Sequence, residues 1–236
     1  PRYGFKRAYG TFDHPIIYGV FCASITGIGW YSFATDSARW TTFRVFRSVV
    51  ATVAALASVS SGAMVALWIQ WILIAWDRLT RNMVRRWQLF GLLLVAMYIA
   101  VDLLSNRTPM KVFLTYLTFS SSTAYGRLII WEWGFHHNVL VHPILGIGSA
   151  EWVRPEWMDS TSCDNFWLVI MMRHGLPCFF FLALAVLYLL FYGPGRAAAQ
   201  GMSHLYKGWA FTVIGLIVAG TTVHFSDGPP EDFDAI

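Results

Sequence analysis

Long runs without a charged residue divide the chain. They extend from Asp13 to Asp36, Arg47 to Asp77, Trp87 to Asp102, Arg173 to Arg196 and Lys207 to Asp227. A helix needs roughly 20 mainly apolar residues to cross about 30 Å of hydrocarbon. The first, fourth and fifth runs match one crossing each. The third reaches that length by extending to Ser105, with Asp102 near an interface. The second is too long for one crossing, and its middle, Ser58-Val59-Ser60-Ser61-Gly62, is small and polar. This pattern predicts two short helices joined by a tight turn near the membrane surface. The alternative is one long tilted helix. The expected fold is therefore all-α, a polytopic transmembrane helix bundle of about six spans, with residues 1–236 forming a single membrane domain.

Composition supports lipid as the solvent. Of 236 residues, 56% are hydrophobic and 13% charged, whereas soluble domains carry about 25% charged residues. Cys22, Cys163 and Cys178 show no metal spacing and imply no disulfide framework. The sequence starts at Pro1 without Met or a signal peptide, which suggests a piece of a longer protein. The net charge of +4 does not call for nucleic acid, because Lys and Arg in a membrane protein also encode orientation.

Cytoplasmic loops carry the excess of Lys and Arg. The densest cluster, Arg78, Arg81, Arg85 and Arg86, is placed in the cytoplasm. Six alternating spans then put the loop of Arg39, Arg44 and Arg47 and the loop of Arg196 and Lys207 on the same side. Residues 105–165 and the acidic tail Asp227, Glu231, Asp232 and Asp234 fall outside. Cations also fall outside, where topology does not ask for them: Arg2, Lys6, Arg7, Arg107, Lys111, Arg127 and Arg154. They answer either an anionic ligand at the outer surface, or Glu132, Glu151, Glu156 and lipid phosphates.

A connection as long as 105–165 is usually functional or disordered, and its many aromatics argue against disorder. Thr123 to Leu140 reads as a helix, with Arg127, Trp131 and Phe135 on one face. Trp131 and Trp133 suit a helix lying at the interface. His142-Pro143, then Gly146 and Gly148, end it in a turn. Adjacent His136 and His137 point to different faces, and no nearby pair has the spacing of a zinc helix, so no metal or cofactor is expected. Asp164 and Asn165 stand where the loop re-enters the membrane. An ionisable residue at that depth is a functional candidate; Asp is also a favoured N-cap, here for a helix beginning near Phe166. Asp102 is read as an interfacial residue pairing with Arg107 or snorkelling.

Three stretches resemble the O-antigen ligase and polymerase family, in its exopolysaccharide-repeat polymerase branch, and match the C-terminal part of a family member. The first is Arg7-Ala8-Tyr9-Gly10-Thr11-Phe12-Asp13-His14-Pro15-Ile16, followed by Gly19. The second is Gly126-Arg127-Leu128-Ile129-Ile130-Trp131-Glu132, continuing to His142-Pro143-Ile144-Leu145-Gly146-Ile147-Gly148. The third is Ser162-Cys163-Asp164-Asn165-Phe166-Trp167-Leu168, continuing to Arg173-His174-Gly175-Leu176-Pro177. The Ser60-Ser61-Gly62 turn also fits.

The resemblance implies a metal-independent glycosyltransferase of the bacterial inner membrane, multi-pass, with its active face in the periplasm. Such enzymes move a glycan from undecaprenyl pyrophosphate onto a sugar hydroxyl of an acceptor glycan. The implied partners are these two glycans, membrane lipids and a chain-length regulator, with no nucleic acid. Fixed cations stabilise the departing pyrophosphate, and the planar fork of Arg suits it. The resemblance assigns that role to Arg7 and Arg127, with Arg154 and Lys6 as helpers and Asn165 in substrate binding. Ligases of the family have His before the Asn of the third motif, where this chain has Asp164. That departure favours a polymerase. It leaves Asp164 as the general base or a ligand of a sugar hydroxyl, with His14 and His142 in reserve. The competing reading is a transporter or flippase of a lipid-linked or anionic substrate.

Overall fold

The computed structural model describes residues 6–32, 38–105, 121–158 and 163–221, and is all-helical there. Its elements are α1 (Pro15–Tyr31), α2 (Ala38–Ala57), α3 (Ser61–Leu79), α4 (Arg86–Leu104), α5 (Ser121–Gly134), α6 (Phe166–Ala199) and α7 (Ser203–Ala219). A π-helical turn, Phe135–Val139, continues α5. Among the described residues three helices, α3, α4 and α6, are long and apolar enough to cross a membrane, and α1 is a shorter apolar helix.

The long second apolar run is two helices. They have 20 and 19 residues rather than being short, and the chain reverses over Ser58–Ser60, where Val59 takes a left-handed φ of 47°. The third run extends through Asp102 to Leu104, as expected. One expectation is corrected. Arg39, Arg44 and Arg47 lie on α2, not in a loop before it. Arg is a good helix former, and its long stem carries the charge to partners elsewhere. Arg44 thus reaches the face of Trp30, 5.4 Å from the ring centroid, and Arg47 Nη2 donates to the Ser32 carbonyl at 3.3 Å.

Helix α1 packs against α2, α3 and α7. Glycines permit the close approach, as small residues do between membrane helices. A Cβ on Gly208 of α7 would come within 2.9 Å of the Gly27 carbonyl oxygen of α1. At this crossing the buried Gln70 of α3 reaches into α1. Its Nε2 donates to the Ala23 carbonyl at 2.9 Å, and its Oε1 accepts from the Gly27 N–H at 2.8 Å. Thr212 of α7 donates to the Ser24 carbonyl at 3.0 Å and lies 3.3 Å from the same Oε1. A side-chain amide therefore bridges a carbonyl and an N–H one helical turn apart. Where water is excluded, each polar atom needs such a partner.

Helices α1 and α3 run parallel, α2 and α7 run against them, and each end has its own fastening. At one end the buried Asp77 carboxylate accepts from Tyr31 Oη at 2.7 Å and pairs with Arg86 at 3.1 Å and Lys207 at 3.5 Å, tying α1, α3, α4 and α7. At the other, the Ala8 N–H donates to the Ala57 carbonyl at 3.0 Å and the Phe166 N–H to Gly220 at 2.9 Å. Ala219 of α7 and Ala55 of α2 share one apolar cluster there. Helix α4 buries no residue. Its first turns pack Trp87 and Phe90 against Phe211 and Trp76.

Candidate functional site

The site grows from a break in α6. Gly175 takes φ 79° and ψ 171°, a region open essentially to glycine alone, and Pro177 follows where an N–H is not needed. The break exposes main-chain groups, and the 142–148 segment takes them up. Ile147 N–H donates to the Met172 carbonyl at 2.7 Å, Gly148 N–H to Arg173 at 3.0 Å, and Leu176 N–H to the Pro143 carbonyl at 2.8 Å. Contact is so close that a Cβ on Gly175 would overlap the Ile144 carbonyl. One on Gly146 would fall 2.5 Å from the Met172 oxygen. The 143–148 and 172–176 segments thus form one main-chain clasp.

A second fastening lies behind it. Asn138, buried in the π-helical turn, donates through Nδ2 to the Val153 carbonyl at 3.0 Å and accepts at Oδ1 from the Val153 N–H at 2.7 Å. Beneath both, Val139, Cys163, Leu168 and Met172 form an apolar core with Ile130, Trp131 and Phe135 against it. Trp131 and Phe135 stack at 6.1 Å and 10°, and Trp133 stacks on His137 at 4.1 Å and 12°. The expected Thr123–Leu140 helix and its aromatic face are present. Its last turn is π-helical, a geometry frequent at functional sites.

The candidate residues fall as follows. Lys6 is exposed, and Arg7 is half-buried and donates through Nε to the Ser58 carbonyl at 2.9 Å. His14 caps α1, its Nδ1 accepting from the Ile16 N–H at 3.2 Å. Arg127 and Arg154 are half-buried. Nη2 of Arg7 and both Nε and Nη1 of Arg127 are shielded from solvent. Asp164 is half-buried one residue ahead of the helix cap. The cap itself is Asn165: extended at φ −147° and ψ 103°, it accepts at Oδ1 from the Leu168 N–H at 3.0 Å. The capping role read onto Asp164 therefore belongs to its neighbour, because α6 starts at Phe166 and only Asn165 stands at the position whose side chain meets the third amide.

His142 is brought together with His137 and Glu151 in a cleft of about 360 Å³ whose floor includes Asn138 and Gly146. Arg7, Arg127 and Asp164 do not line that cleft. Arg2, Arg107, Lys111, Ser162 and the acidic tail lie outside the described residues. Beside Asp164, burial pushes the Cys163 thiol up to about 12 from 9.0; the Asn165 main chain and Arg173 oppose the rise and Asp164 adds to it. This cysteine is a core residue, held neutral.

Sequence reasoning missed Asn138 and Gln70. Each is one uncharged amide within an apolar or aromatic run, and its signal is only that isolation. Compared with protein-family models and with curated proteins, the chain matches none.

Proposed function

We propose that this chain is a glycosyltransferase of the bacterial inner membrane. It moves a glycan from undecaprenyl pyrophosphate onto an acceptor glycan in O-antigen or exopolysaccharide synthesis, as a polymerase rather than a ligase. The observation that carries the reading is the clasp between His142–Gly148 and Arg173–Pro177. It joins two of the three stretches that carry the resemblance, and Phe166, at the start of the broken helix, bonds to Gly220 at the end of the bundle where Arg7 sits against the Ser58 turn. Arg127 rides on the helix packed against the same break. Half-buried guanidinium groups at a membrane surface suit a pyrophosphate leaving group, because shielding from water strengthens their effect on developing charge. In this reading the site end faces the periplasm and about six helices cross the membrane.

The test is complementation of a polymerase-deficient strain with wild type, Arg7→Ala and Arg127→Ala. Lipid-linked glycan length is read on gels and membrane level by blot. Long chains from wild type and single repeat units from both variants, at equal protein level, are expected. Normal polymer from both variants overturns the assignment.

The broken α6 favours a second reading, a flippase or transporter, since discontinuous helices often form transport sites. Under that reading, single repeat units never reach the outer face when the protein is absent.

A further inference from the structure

The end of the bundle remote from the clasp carries its own recognition surface. The chain segments 31–47, 77–87 and 196–207 hold nine lysines and arginines against two carboxylates, Asp36 and Asp77. Contacts bring these segments together: Asp77 gathers Tyr31, Arg86 and Lys207, and Arg47 reaches the Ser32 carbonyl. Trp30 stands at the centre. Arg44 of α2 and Arg78 of α3 each place a guanidinium 5.4 Å from its ring centroid, within the range of a cation–π attraction. The ring so holds two like charges from two helices near one another, Arg44 buried and Arg78 exposed.

The neighbouring chain indicates which ligand suits these guanidinium groups. From Arg78 to Arg85, exposed arginines alternate with exposed apolar side chains. Leu79 is 84%, Met83 53% and Val84 98% exposed, while Arg78, Arg81 and Arg85 share the same short stretch. A free phosphate has no use for Leu79 and Val84, and an acidic protein would not require them at this density. A phospholipid satisfies both sets, with its phosphate on the guanidinium groups and its acyl chains against the apolar ones.

We propose that this end binds anionic phospholipid headgroups, and that Arg78 on Trp30, with Arg81 and Arg85, forms the principal phosphate site. The site lies at the opposite end from the clasp and is independent of the glycosyl-transfer reading.

The experiment uses the whole chain in nanodiscs of mixed phosphatidylcholine and phosphatidylglycerol. Retained lipid is counted by native mass spectrometry, and a photoreactive phosphatidylglycerol maps the contact. Wild type should retain phosphatidylglycerol several-fold over its share of the mixture, with crosslinks on the 78–86 stretch. The triple variant Arg78→Ala, Arg81→Ala and Arg85→Ala, at unchanged helicity, should return to the bulk ratio. No preference in wild type overturns the proposal, as does a preference kept by the triple variant. Crosslinks confined to other segments do the same. Displacement of the lipid by millimolar inorganic phosphate would mark a site for the free anion and equally overturn it.

Discussion

The carbonyl of Ile144 occupies the space in which a side chain on Gly175 would begin. Two residues 31 positions apart thus meet backbone to backbone, and the absence of a Cβ at Gly175 makes the meeting possible. Gly175→Ala should combine an unfavourable backbone region, costing roughly 1–3 kcal/mol, with overlap against a carbonyl in a segment that three main-chain hydrogen bonds fasten to α6. Gly148 also has a positive φ, 63°, but open space around it, so Gly148→Ala should show only the backbone cost of roughly 1–2 kcal/mol. Thermal unfolding in detergent, followed by tryptophan fluorescence, should rank Gly175→Ala clearly below Gly148→Ala. Equal midpoints would mean that the clasp does not constrain the fold.

Asn138→Ala removes both bonds to Val153 and leaves its part-buried N–H and carbonyl without the amide that meets them. The expected loss is about 2 kcal/mol, with the effect concentrated at the 150–155 segment. Hydrogen exchange should show the Val153 amide losing protection before those of α6.

In the bundle, Gly27 and Gln70 are coupled. A Cβ on Gly27 would meet Gln70 Oε1 and Thr212 Oγ1 at 2.9 Å and the Gly208 carbonyl at 3.0 Å. Gly27→Ala should destabilise strongly in the wild-type background and less when Gln70→Ala has already vacated the space. A double-mutant cycle should give a coupling on the order of 1 kcal/mol. Strict additivity would separate the two residues.

Asp77→Asn leaves Arg86 and Lys207 facing each other without the carboxylate. Breaking a buried pair costs about 3–5 kcal/mol. Here the value should be about 2–3 kcal/mol, because the Arg86 and Lys207 side chains remain 18% and 31% exposed to solvent. Denaturant or thermal unfolding of the variant beside wild type measures it.

Cys163 gives a pH test. Its folded value of about 12 lies above the ordinary 9.0, so burial favours the neutral thiol. That contribution is complete below pH about 9 and is lost progressively as pH rises towards 12. Maleimide labelling of the native protein at pH 8 should therefore be slow at Cys163 and become fast on unfolding, as peptide mapping would show. Rapid labelling of the native protein would contradict the burial.

Much of this was legible from charge and hydropathy. The Ser58–Ser60 reversal stood out because three small polar positions interrupt an apolar run. The Thr123–Leu140 helix was visible in the spacing of Arg127, Trp131 and Phe135. Other features are tertiary. His142–Gly148 reads as a turn and Arg173 as the start of an apolar run, but nothing in either stretch says that the two interlock. Asp164 and Asn165 are both competent caps, and the choice between them turns on where α6 starts, a matter of one residue. Arg44 and Arg47 looked like loop residues because a charge in a membrane helix is costly when alone. The face of Trp30 and the Ser32 carbonyl, which offset that cost, come from elsewhere in the fold.

Helix α4 touches the rest of the bundle through its first turns and buries nothing. At 19 residues and about 1.5 Å per residue, it is roughly 28 Å long, close to the hydrocarbon thickness of a bilayer. In a bilayer, most of its length answers to the lipid and not to protein neighbours. Hydrophobic mismatch therefore acts on α4 before it acts on the packed helices, and α4 can tilt to match a thinner or thicker bilayer while the Gln70 crossing and the clasp keep their geometry.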